Sequence, residues 1–178
     1  MAFIRVKRFK RKDGSRVEYA YIVENRRNRK KKKVKQKFRK YLGRVYRPNK
    51  LNNMDFYEFH SIYDVQKYIK DTSKEKMIND LLEFELCNYG FKGENGVLRR
   101  DNCFVNIKER RVYNEKDNNV ALALNNGLLT SYAIEDLLNF KASFSDEETG
   151  YKLAKAFVEA GIKVPKEVFV GIFEKINS

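Results

Sequence analysis

The chain contains no Trp, one His, two Cys and two Pro among its 178 residues. Each shortage excludes something. Cys87 and Cys103 cannot build a disulfide framework, and with His60 alone beside them they cannot complete a tetrahedral zinc site without a carboxylate. No apolar run approaches the roughly 20 residues that span a bilayer. Met1 leads straight into a basic, β-like stretch rather than the apolar core of a secretory signal. The glycine-containing turns Gly93-Glu94-Asn95-Gly96 and Asn125-Asn126-Gly127 lack the spacing of a phosphate cradle. The expectation is a reduced, intracellular, cytoplasmic protein with no membrane contact, no metal and no cofactor. Abundant Lys, Glu and Ile with few Gln suit a thermophile.

What is present is positive charge, unevenly placed. Residues 1–50 carry 21 Lys and Arg against Asp13, Glu18 and Glu24, a net of +18. The remaining residues carry 17 basic and 21 acidic side chains, a net of −4. A polycation joined to a mildly acidic body points to a polyanionic partner for the N-terminal part. Apolar residues still make up 42% of the chain, enough for a packed core.

Period-two patterning predicts three antiparallel strands in the basic part. Phe3 to Phe9 comes first, with Ile4 and Val6 alternating against Phe3, Arg5 and Lys7. Asp13-Gly14 supplies the hairpin turn, and Val17 to Val23 returns. A polar loop, Asn25 to Lys33, follows. The third strand, Val34 to Tyr41, places Val34, Gln36, Phe38 and Lys40 on one face and Lys35, Lys37, Arg39 and Tyr41 on the other, and Leu42-Gly43-Arg44 ends it. A composition change near Pro48 to Asn53 predicts a linker at 48–53. It would separate a basic β unit, 1–47, from a second unit, 54–178.

The second unit reads as α+β. Met54 to His60 fits either a short strand or a first helical turn, and Ser61 is placed to cap a helix through Ile69. Thr72-Ser73-Lys74-Glu75 has capping-box spacing, and Met77, Ile78, Leu81, Leu82, Leu86 and Tyr89 form an apolar stripe up to Gly90. Strands are expected at Val97–Arg100, Cys103–Ile107 and Val120–Leu124. Thr130 or Ser131 then opens a helix through Phe140. Ser145-Asp146-Glu147-Glu148 opens another, ending at Gly161, and Pro165 sits at the first position of a last helix. These two helices are expected to form a C-terminal antiparallel hairpin that completes the core or offers a protein-partner surface.

The residues singled out for binding are Arg5, Lys7, Arg8, Arg26, Arg27, Arg29, Lys30, Lys31, Lys32, Lys33, Lys35, Lys37 and Arg39. Seven of the eight residues from 26 to 33 are cationic. Alternate residues of a strand stand roughly 6.5–7 Å apart, near the repeat of successive phosphates, and each phosphate neutralised releases counterions. Tyr19, Tyr21 and Tyr41, interleaved among them, can stack on unpaired bases.

Tyr19-Ala20-Tyr21-Ile22-Val23-Glu24-Asn25, followed by Val34-Lys35-Gln36-Lys37-Phe38-Arg39-Lys40-Tyr41-Leu42-Gly43-Arg44, resembles the N-terminal segment of DDE-type insertion-sequence transposases. Those open with a basic three-stranded unit ending in a Tyr-Leu-Gly-Lys/Arg element. The resemblance covers about a quarter of the chain. It departs where a polycation replaces a short glycine-containing turn, and residues 51–178 match no catalytic core of that family. It implies a DNA-contacting module, not transposition.

Three functions stay open. A non-catalytic DNA-binding protein, nucleoid-associated, is favoured slightly over an RNA- or ribosome-associated one. A metal-dependent nuclease is the third, with Glu83, Glu85, Asp101 and Glu109 as the carboxylates near the 97–107 strands, but their spacing fits no nuclease motif. Cys87, Cys103 and His60 read as core or surface residues rather than a metal or thiol site.

Overall fold

The computed structural model describes residues 2–28, 33–94 and 96–177, with side chains described for all of these except residues 2, 26–28, 33–35 and 94. The basic part forms β1 (Ala2–Lys10), β2 (Arg16–Asn28) and β3 (Lys33–Tyr46), paired antiparallel in sequence order. β2 and β3 are longer than their alternation predicts. Asn25 to Asn28 and Lys33 belong to the strands rather than to a loop, in register with residues 33 to 36. Nor does Leu42-Gly43-Arg44 end β3, which continues to Tyr46.

The reason for the second difference is a pair of bulges. Pairing runs Ala20 to Gly43, then Tyr21 to Tyr41, leaving Leu42 extra; it runs Ile22 to Lys40, then Val23 to Phe38, leaving Arg39 extra. Each extra residue inverts the alternation beyond it and bends the strand. Lys37, opposite Glu24, therefore does not share a face with Tyr41, and Phe38 does.

Beyond the second bulge β3 pairs in parallel with β8 (Val120–Leu124), which pairs antiparallel with β9 (Gly127–Leu129). The basic strands thus share a five-stranded sheet, ordered β1-β2-β3-β8-β9, with the C-terminal half. One face of this sheet is lined by Ala20, Ile22, Leu42, Val45 and Ala121, with Ile4 and Val6 of β1 and Leu128 of β9 against them. Segment 48–53 runs along the end of α3 (Lys74–Asn88), where Leu51 and Asn52 donate backbone N–H bonds to the Asn88 carbonyl.

The helix α3 is the axis of the main core. Met77, Ile78, Leu81, Leu82 and Leu86 are fully buried against Leu122, Leu124, Leu129, Ile134, Leu137, Leu153 and Ile172. Each such side chain stabilises by roughly 1.5–3 kcal/mol. Two of its buried acids are bonded: Asp80 accepts from Tyr68 at 3.0 Å, and Glu85 from Asn125 at 3.0 Å with Lys50 at 3.3 Å. The cap is Ser73, whose hydroxyl accepts from the Lys76 N–H at 3.2 Å, while Thr72 terminates α2 (Val65–Asp71). Asp64, not Ser61, caps α2; Ser61 sits in a turn at φ 53°. Met54 to His60 resolves as the short helix α1 (Phe56–Phe59), because the Asp55 carboxylate accepts from the Tyr57 and Glu58 N–H groups.

A second, antiparallel sheet joins β4 (Lys92–Glu94), β5 (Val97–Arg100), β6 (Cys103–Asn106) and β7 (Arg111–Asn114). Helices α4 (Ser131–Leu138), capped by Thr130, and α5 (Asp146–Ala160), capped by Ser145 and closed by Gly161 at φ 75°, follow as the caps predict. The last helix, α6 (Lys166–Asn177), begins one residue after Pro165. Its Phe169 ring lies 6.5 Å from that of Phe157 in α5, and a Cβ on Gly171 would meet Ile69 of α2 at 2.5 Å. The architecture is α+β, and no helix among the described residues is long and apolar enough to cross a membrane.

Candidate nucleic-acid interface

Directly opposed residues of paired strands project to the same side. Arg5 lies opposite Tyr21, Lys7 opposite Tyr19 and Phe9 opposite Val17. Tyr21 in turn lies opposite Tyr41, Val23 opposite Phe38 and Tyr19 opposite Arg44. One face of β1–β3 therefore collects Arg5, Lys7 and Arg44 among five aromatic rings. The ring centroids step 5.8 Å from Phe9 to Tyr19, 6.1 Å to Tyr41, 5.5 Å to Tyr21 and 5.6 Å to Phe38, all edge-on or tilted. Lys7 Nζ stands 5.5 Å over the Tyr21 ring, and the Arg44 guanidinium 5.2 Å over that of Tyr46.

These rings are not a core. Phe9, Phe38 and Tyr41 remain 46%, 54% and 44% exposed, while Tyr19 and Tyr21 are half-buried between them. Burial and the neighbouring tyrosines push the Tyr41 hydroxyl's pKa up, so it stays neutral. Where this face meets the turn after β7, Tyr19, Tyr41, Arg44 and Tyr46 face Asn114 and Asn119 across a cleft of about 500 Å³.

The opposite face holds the ion pairs of these strands. Glu18 holds Arg8 and, at 2.7 Å, Arg47. Glu24 accepts from Arg39 Nε at 2.9 Å. Asp13 accepts from the Ser15 N–H at 2.8 Å and serves the β1–β2 turn. Lys37 is exposed. Among the described residues Arg5, Lys7, Lys10, Arg11, Arg16 and Lys37 make no ion pair; Arg5 donates to Gln36. Arg26, Arg27, Lys33 and Lys35 hold their places in the β2–β3 register, where β1 no longer reaches. Arg29, Lys30, Lys31 and Lys32 lie outside the described residues. Residue 33 is eleven residues along β3 from the first residue paired to β8, roughly 35 Å at about 3.3 Å per residue.

Phe9, Phe38, Arg11, Arg44 and Tyr46 were not among the sequence-derived candidates. Continuing the odd-numbered series Arg5, Lys7 would have reached Phe9. Phe38 was beyond reach, since strict alternation sets it opposite Tyr41 and only the Arg39 bulge reverses this.

Hydrogen bonds from Arg8, then Arg47, hold the Glu18 carboxyl below its ordinary range. A carboxylate so depressed stabilises the fold above its unfolded pKa of about 4.3, and that contribution is lost as pH falls through the lower folded value. Glu18→Gln is thus expected to cost up to about 1 kcal/mol at pH 7 and to flatten the fall in melting temperature below pH 5. Superimposable melting curves of variant and parent from pH 7 to 2.5 would contradict this.

Two of the four carboxylates considered for metal chemistry have other occupations. Glu85 is fully buried in the α3 network, and Asp101 turns the chain between β5 and β6 at φ 49°. No three His, Cys, Asp or Glu side chains among the described residues are grouped to hold a metal ion. His60 Nε2 lies 3.0 Å from the Asp80 carbonyl, its ring against Phe56 and Phe59. Burial pushes both thiols up, that of Cys103 to about 11, the reverse of what a reactive cysteine needs. No protein-family model matches the chain, and no curated protein or solved structure shows significant similarity to it.

Proposed function

We propose that this protein binds nucleic acid without acting on it chemically, gripping the phosphate backbone with the cations of β1–β3 and of the segment joining β2 to β3. One observation carries the reading: among the described residues, Arg5, Lys7, Lys10, Arg16 and Lys37 of these strands stand outside any ion pair. Their own acids reach Arg8, Arg39 and Arg47, and the body offers β1 and β2 no further carboxylate among the described residues. Cations left facing water on a β surface are the ordinary footprint of a polyanion ligand. The N-terminal likeness to transposase segments favours DNA, and a nucleoid-associated role with it. An RNA- or ribosome-associated role is the alternative, favoured by the aromatic rings at the surface. The C-terminal helices α5 and α6, read as a hairpin, are the part left over for a protein partner.

Salt dependence tests the proposal. Each phosphate contact contributes about −0.9 to the slope of log K against log salt on duplex DNA. A slope of about −4 or steeper between 50 and 300 mM salt is the expected result by fluorescence anisotropy. A slope near zero, or no binding at 50 mM, overturns it.

A further inference from the structure

The five-ring face does something that phosphate contacts do not require. Resting on the proposed nucleic-acid binding, we infer that this face is a stacking platform for single-stranded nucleic acid, with unpaired bases lying on Phe9, Tyr41 and Phe38 while cations beside them follow the backbone. In a duplex the flat surfaces of the bases are stacked on one another inside the helix, out of reach of a side-chain ring. In a single strand they are free, and aromatic side chains take them without regard to sequence. A protein that only gripped duplex phosphates would gain nothing from rings in water.

The geometry suits an extended strand. The rings form a continuous series at steps of 5.5–6.1 Å, and three of them stand near half exposure. Lys7 and Arg5 border the series on β1, and Arg44 borders it on β3. At the body end the series runs into the cleft of about 500 Å³, where Asn114 and Asn119 stand opposite Tyr19 and Tyr41. That volume is within the range of pockets for small organic groups, roughly 300–1,000 Å³, and holds a base. At the other end β2 and β3 carry the densest charge of the chain. A strand crossing the sheet passes from the cleft over the rings to that cationic end. Aromatic–aromatic packing alone explains Tyr19 and Tyr21, whose rings are covered by their neighbours. It does not explain Phe38 and Phe9, each of which meets one ring among the described residues and keeps about half its surface in water.

The test uses the whole chain and three labelled probes of one mixed 12-nucleotide sequence: single-stranded DNA, single-stranded RNA and the DNA duplex. At 0.15 M salt the expected result is at least about tenfold tighter binding of one or both single strands than of the duplex. The double variant Phe38→Ala with Tyr41→Ala is expected to lose about 30-fold or more on the single strand and no more than about twofold on the duplex. Tyr41→Phe, which keeps the ring, is expected to bind as the parent does, so loss there together with loss in the alanine variant would mark a folding defect and count against stacking. Equal affinity for single strand and duplex, or equal loss on both in the double variant, overturns the inference. In that event persisting, salt-sensitive duplex binding leaves the backbone grip standing, whereas no binding of any probe removes both. Tighter binding of RNA or of DNA among the single strands tells which polymer is the source.

Discussion

Replacing Arg26, Arg27, Arg29 and Lys30 to Lys33 by serine is expected to lower nucleic-acid affinity about a thousandfold at 0.1 M salt. The estimate follows from counterion release. At that salt each phosphate contact with a slope near −0.9 is worth about eightfold, so three or four of the seven cations in contact supply roughly three orders of magnitude. Of these, Arg26, Arg27 and Lys33 fall where β2 and β3 pair only with each other, beyond the Ala2–Glu24 pair that ends β1. The melting temperature is therefore expected to stay within a few degrees of the parent, as surface substitutions usually change stability by about 0.5 kcal/mol or less. Anisotropy titrations beside thermal melts measure both quantities. Affinity within threefold of the parent, in a variant that melts normally, would show that this charge is not what holds the ligand.

Gly43→Ala should be severely damaging for so small a change. Gly43 has φ 131°, and a Cβ there would stand 2.3 Å from the Asn119 carbonyl oxygen and 2.6 Å from Val120 Cα. Those atoms are backbone and cannot swing aside. The next residues along are the three through which β3 pairs with β8, Arg44 with Val120, Val45 with Ala121 and Tyr46 with Leu122. The added methyl must force β3 away from the strand that ties it to the body. A loss of about 3 kcal/mol or more is expected, combining the backbone conformation with the clash, which lowers the melting temperature by roughly 10 °C in a chain of this size. Gly14→Ala is the control, since Gly14 also has a positive φ, 82°, but open space around its Cβ direction. It should cost about 1 kcal/mol. Equal losses in the two variants would show that the approach of Gly43 to Asn119 does not matter.

Much of the fold is legible in the residues. The α3 stripe from Met77 to Tyr89, the Ser145 and Thr130 caps and the strands Val97–Arg100 and Val120–Leu124 rest on contacts within a few positions of each other, so local pattern suffices. The three-residue strands β4 and β9, and β7 with them, do not show. β4 and β9 are too short for alternation to register, and all three exist because a neighbouring strand lies beside them. Of the binding candidates, Tyr19, Tyr21, Tyr41, Arg5 and Lys7 do come together, whereas Arg8 and Arg39 are drawn to Glu18 and Glu24 on the other side.

The sequence by itself determined the segregation of charge, +18 in the first 50 residues against −4 in the rest, and the periods that make strands of the first part and helices with short strands of the rest. Both are sums over neighbours along the chain. Tertiary structure alone decided which side chains look the same way. The extra residues Arg39 and Leu42 are extra only by comparison with β2, and the parallel union of β3 with β8 joins positions more than seventy residues apart. A partner strand, not the local alternation, sets a register. For that reason Phe38 joins the tyrosines and Lys37 does not.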